Sequence, residues 1–127
     1  MYSFSKRSID NLSQAHPDLQ VLFNEVIRYR DCSVICGHRG EKEQNDAFNK
    51  GNSLLKYPNS KHNKLPSLAV DVVPFPIDWD DIDKFKNFGE FVLIIASRLK
   101  ADGKIQNEVK WGGNWKKFKD YPHYEIG

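Results

Sequence analysis

The chain is poor in cysteine, with two in 127 residues, so a disulfide-stapled scaffold is excluded. The pair stands at Cys32 and Cys36 in a Cys-Ser-Val-Ile-Cys run that reads as a strand. Residues four apart on a strand lie roughly 13 Å apart, beyond disulfide reach. Both are expected to be free buried thiols, in keeping with synthesis in a reducing compartment. A zinc site of Cys-x-x-x-Cys spacing is disfavoured, because ligand pairs usually stand closer and on a turn. There is no apolar run of membrane-span length, and Met1–Arg7 lacks the apolar core of a signal peptide. There is no strong charge of one sign either. The net charge of +2 is too small to argue for nucleic acid, and the lysines at 110, 116, 117 and 119 read as a solvated face. Repeats and low-complexity tracts are absent.

What is there fits a single domain, residues 1–127, with one core. Hydrophobic residues make up 39% and charged residues 28%, ordinary for a globular protein. Helices are predicted over Ser5–Gln14, Pro17 to about Arg30, Glu41–Lys50 and Ile82–Ala101. The second and last carry apolar stripes at helical spacing, Leu19, Leu22, Phe23 and Val26, then Phe85, Phe88, Val92, Ile95 and Leu99. Pro17 suits a first helical position and Gly103 a C-terminal cap. Strands are predicted at Cys32–Cys36, Leu68–Val73, Val109–Trp111 and from Tyr121 to Ile126. Helices and strands in this mixture predict an α+β fold, a small, mainly antiparallel sheet backed by helices.

The strand Leu68–Val73 carries an anomaly. Asp71 stands in the middle of an apolar run, and a buried carboxylate is costly unless it is paired or holds a metal. His62 precedes it across a polar loop broken by Pro66, and His123 follows near the C-terminus with Asp120 three residues before it. Two imidazoles and a carboxylate, with a position left for water, are how a catalytic zinc is held. His62, Asp71 and His123 are therefore the candidate metal ligands for Zn²⁺. Asp120 is the candidate base, and the cleft between the stretches is expected to be open. Alternation on the last strand puts His123 and Glu125 on one side, where Glu125 can fix the His123 tautomer. Arg39, at the end of the first strand, is placed to hold a substrate carboxylate with its bidentate fork. Ser60, Gln44 and Trp111 complete the candidate substrate-binding set.

These residues also carry a resemblance. Ser60-x-His62…Ala69-x-Asp71, then Trp111-Gly112-Gly113-x-Trp115, then Asp120-x-Pro122-His123 resembles the zinc D-alanyl-D-alanine carboxypeptidase and dipeptidase group. Its nearest branch is the phage endolysins acting as L-alanyl-D-glutamate peptidases. The likeness runs from about Pro17 to Glu125, with a His62-to-Asp71 loop two residues longer than the compact family form. It implies a D-Ala-D-Ala peptidase/hedgehog-like fold and zinc on His62, Asp71 and His123. It also implies Asp120 as base, since aspartate is usual there in the endolysin branch, and Arg39 on a substrate carboxylate. The implied function is hydrolysis of the peptide part of bacterial peptidoglycan, at the L-alanyl-D-glutamate bond, by a monomer with no separate wall-binding domain. Such an enzyme, made in the host cytoplasm without a signal peptide, acts on the wall after release. The alternatives are D-alanyl-D-alanine carboxypeptidase or dipeptidase activity, and a non-catalytic, zinc-containing wall-binding module.

Overall fold

Local signals place the helices close to where the apolar spacing asks for them. The structure, a computed structural model, describes residues 2–127. Helix α1 spans Lys6–Ser13, its first turn capped by the Ser5 hydroxyl, which accepts from Ser8 N at 3.2 Å. Helix α2 spans Pro17–Val26 with Pro17 in its first turn, and His16 Nδ1 caps it by accepting from Asp18 N at 3.0 Å. It stops short of Arg30 because the apolar stripe ends at Ile27 and the chain turns toward the sheet. Helix α3 is Glu41–Asn49 and helix α4 is Ile82–Ala101. Asp81 caps α4, and Gly103, at φ 75°, terminates it.

Four strands, β1 (Cys32–Cys36), β2 (Ala69–Pro74), β3 (Lys110–Trp111) and β4 (His123–Glu125), form one antiparallel sheet in the order β1-β2-β4-β3. The core lies between this sheet and helices α2 and α4: Leu19, Phe23, Phe88 and Val92 meet Val34, Val70, Val72 and Tyr124. Side chains alternate across a strand, so Asp71, between Val70 and Val72, faces away from that core. The β2–β4 register sets it directly opposite His123. A bulge between Val34 and Cys36 brings Cys36 opposite Asp71 as well. The loop from His62 to β2 is stitched to the α1–α2 junction, with Ser67 N on Gln14 O at 2.8 Å and His16 N on Ser67 O at 2.9 Å. Its two extra residues thus leave His62 beside Asp71.

One buried carboxylate ties the helical layer to β3. Asp18 Oδ2 accepts from Gln106 N, Asn107 N and Asn107 Nδ2 at 3.0, 2.9 and 2.9 Å. Burial pushes this carboxyl up, but the Asn107 and Gln106 donors outweigh it and hold it below its ordinary value. Asp18→Ala should cost about 1–3 kcal/mol in urea unfolding at pH 7. A depressed carboxyl stabilises above its unfolded pKa of 3.8 and loses that contribution as pH falls through the folded value. The difference between wild type and variant should therefore shrink in acid.

Candidate active site

His62 sits in a 3₁₀ turn, Lys61–Asn63, closed by a reciprocal cap. The Ser60 hydroxyl accepts from His62 N at 3.2 Å, and Asn63 Oδ1 accepts from Ser60 N at 3.0 Å. The turn is pinned to the end of β1 by Arg39 N on His62 O at 2.8 Å and Asn63 Nδ2 on Arg39 O at 2.9 Å. Ser60 thus orients His62 and also reaches the cleft wall.

The two imidazoles are oriented by the nitrogen each turns away from Asp71. His62 Nδ1–H donates to Gly37 O at 2.9 Å, which leaves the Nε2 lone pair 3.3 Å from Asp71 Oδ1. His123 Nε2–H donates to Glu125 Oε1 at 2.8 Å, which leaves Nδ1 3.5 Å from the same oxygen. Lys61 Nζ holds the other Glu125 oxygen at 2.9 Å. Asp120 Oδ2 lies 4.0 Å from His123 Nδ1. His62 Nε2 and Asp71 Oδ1 are buried and have no hydrogen-bond partner. Lone pairs converging in a buried place are unfavourable unless a proton or a cation lies among them. The donor set, two imidazole nitrogens and one carboxylate oxygen, suits a zinc-like ion with room for one more ligand. Asp71, Asp120 and His123 form one group within metal reach, and Cys36, His62 and Asp71 another.

Electrostatics follow from the same contacts. Burial would push both imidazoles down, but the Asp71 carboxylate outweighs it and raises both, with Glu125 adding to the effect on His123. Burial opposes ionisation of Asp71, yet His123 and His62 hold it well below the usual carboxylate range. Asp120 is pushed up, first by burial and then by the negative charge of Asp71. Gly112 makes its placement possible: a Cβ there would collide with the Asp120 carbonyl oxygen.

The substrate-binding expectations divide. Arg39 lines the cleft, with its side chain 17% exposed, Nη1 donating to Gln44 Oε1 at 2.9 Å and Nη2 3.5 Å from Asp71 Oδ2. Gln44 does not face the cleft. It is fully buried, and its amide donates to Ser53 Oγ at 2.9 Å and Leu55 O at 2.6 Å, so it fastens the 51–60 loop and steadies Arg39. Trp111 is likewise a packing residue: its indole is wedged between Gly89 and Gly113, with Nε1 on Tyr121 O at 2.7 Å. The cleft wall is Trp115, whose ring lies 4.9 Å from that of His123. Pairing could have found this, because Trp111 stands opposite the buried Tyr124, on the core face. Cys32 is buried and its thiol pushed up to about 12 by that burial. Cys36 departs from expectation: it is half-buried, 3.8 Å from His62 Nδ1 and 3.7 Å from Arg39 Nη2. The bulge in β1 turns it toward the cluster, and the strand pattern carried no sign of that bulge.

The cleft over the cluster measures about 1030 Å³ and runs between the 51–60 loop and a rim formed by Trp79, Ile82 and Phe118. This sheet and this cluster define a class. The chain belongs to the phage L-alanyl-D-glutamate peptidase family, whose model matches residues 1–126. Among particular relatives, it is 32% identical over 108 residues to the peptidoglycan L-alanyl-D-glutamate endopeptidase CwlK of Bacillus subtilis (strain 168). That match covers 76% of this chain and 60% of CwlK, so the chain spans about three-fifths of that relative. The crystal structure of Serratia marcescens L-Ala D-Glu endopeptidase ChiX matches with a TM-score of 0.73 at 30% identity, over 98% of this chain and 90% of that one.

Proposed function

We propose that the chain is a zinc-dependent endopeptidase that hydrolyses the L-alanyl-D-glutamate bond of peptidoglycan. The observation that carries the reading is the approach of His62 Nε2 and His123 Nδ1 to the same oxygen, Asp71 Oδ1, with the Asp120 carboxylate beside them. His62, Asp71 and His123 would hold the ion. Zinc, when bound, supplies Lewis acidity that acidifies water and polarises a peptide carbonyl. Asp120, its carboxyl pushed up by burial, takes the proton of the attacking water and returns it to the leaving amine. Glu125 and Ser60 keep the two imidazoles in register, and Trp115 shields the His123 side from solvent.

Arg39 is the cation available to a substrate carboxylate, and the free α-carboxyl of the D-glutamyl residue is the group it suits. Arg39→Ala should lower kcat/KM about 30–1,000-fold while zinc content stays at the wild-type level. Unchanged kcat/KM on murein peptides would place the anchor elsewhere. The open cleft favours a long substrate over the dipeptide of the D-alanyl-D-alanine alternative. Mass spectrometry of purified murein after digestion tests the bond: new N-terminal D-glutamate supports the reading, and released D-alanine would replace it with the alternative.

A further inference from the structure

One end of the cleft is left unused by peptide hydrolysis. Trp79 lines it and is 56% exposed, its indole stacked on Phe85 with ring centroids 5.5 Å apart and planes 23° off parallel. Phe85 lies 6.5 Å from Tyr121, the neighbour of Asp120, so the platform stands two ring contacts from the proposed base. An indole backed on one face and open on the other is a flat apolar surface that none of the described residues covers. Asp78 and Asp80 flank Trp79 in the chain and Asp81 follows, all three exposed. Asp78 and Asp81 each give one oxygen to a backbone N–H, at 3.1 Å in both cases, and the other oxygens remain as acceptors.

This chemistry selects a ligand. Three carboxylates repel the acidic portion of a stem peptide, whose anchor, Arg39, is on the wall nearer the 51–60 loop. A neutral sugar ring with an apolar C–H face and a few donors, a hydroxyl and an acetamido N–H, fits both features, because the face covers the indole and the donors reach carboxylates. In peptidoglycan, L-alanine is amide-linked to the lactyl group of a muramyl sugar, so such a ring lies one residue from the L-alanyl-D-glutamate bond. We infer that Trp79, with the carboxylates beside it, is a saccharide subsite that seats the muramyl ring on the acyl side of the scissile bond. The inference rests on the peptidase reading for its choice of sugar. It makes the enzyme a reader of the glycan-to-peptide junction as well as of the peptide.

Two measurements test it. The first compares KM for a muramyl-bearing stem peptide with KM for the same peptide lacking the sugar, in wild type, Trp79→Ala and Trp79→Tyr, all zinc-loaded. Trp79→Ala should raise KM about tenfold more for the sugar-bearing substrate than for the bare peptide, and Trp79→Tyr should recover most of the difference. Equal losses on both substrates, or no loss on either, overturn the inference. The second follows binding of N-acetylmuramyl-L-alanine, which has no bond to cut, by calorimetry. Wild type should bind it and Trp79→Ala should bind it at least about tenfold more weakly; wild type that does not bind it overturns the subsite. Absence of hydrolysis of either stem peptide by zinc-loaded wild type would sink the peptidase reading instead, and calorimetry would still decide the subsite.

Discussion

Asp120→Asn is expected to hydrolyse murein peptides ~10²–10⁴-fold more slowly than wild type, the usual contribution of a positioned general base. It is expected to keep its metal and its fold. Asparagine preserves the shape of the side chain but cannot accept a proton from water, and Asp120 is not among the three proposed ligands. A carboxylate base should give kcat/KM an acid limb in wild type that disappears in the variant. Zinc content, thermal unfolding and murein hydrolysis measured side by side decide the matter. Wild-type rates in Asp120→Asn would remove the base assignment, and zinc-loaded wild type without hydrolysis would favour the non-catalytic wall-binding module.

Loss of a ligand should look different. His123→Ala and Asp71→Asn are each expected to lose activity together with bound zinc, and wild type purified without added metal is expected to carry one ion per chain by elemental analysis. Wild type free of divalent transition metal, or His123→Ala with a full complement, would refute the ligand set. Metal and proton compete for the same lone pairs, so affinity should rise with pH. In the metal-free protein both imidazoles are raised above their ordinary value of 6.5. Such groups stabilise fully below 6.5, and their contribution is lost as pH rises through the folded values. Metal-free protein should thus lose thermal stability from pH 6.5 upward, while the gain in Tm on adding zinc should grow over the same range. A zinc-induced gain that shrinks as pH rises would contradict this account.

That His62, Asp71, Asp120 and His123 would meet was legible because they broke local rules. Asp71 interrupts an apolar strand, and Asp120-x-Pro122-His123 precedes one, so chemistry showed through the pattern. Strand alternation also placed Glu125 beside His123, where it is found. The long helix Ile82–Ala101 was legible to the residue, since its stripe, its acidic first turn and its cap agree. Trp111 and Trp115 were not separable by type: both flank the paired glycines, and only the pairing of Trp111 with Tyr124 turns one inward. Gln44 was misplaced for another reason. Its partners are backbone and hydroxyl groups of the 51–60 loop, and no spacing in the sequence announces which loop will need a donor. Cys36 turns on a bulge, a one-residue irregularity that leaves no trace in composition.

The position of Asp71 on β2 has a consequence for how the chain reaches its native state. Val70 and Val72 beside it are fully buried, so slipping β2 by one residue would exchange faces all along the strand. That error would drive the carboxylate into the apolar layer between sheet and helices, far from His62 and His123, and expose valines in its place. A charge stranded there carries a penalty of several kcal/mol. The proposed metal ligand therefore also polices strand alignment: mispaired molecules are discouraged during assembly, and those that do form cannot bring Asp71 to His62 and His123.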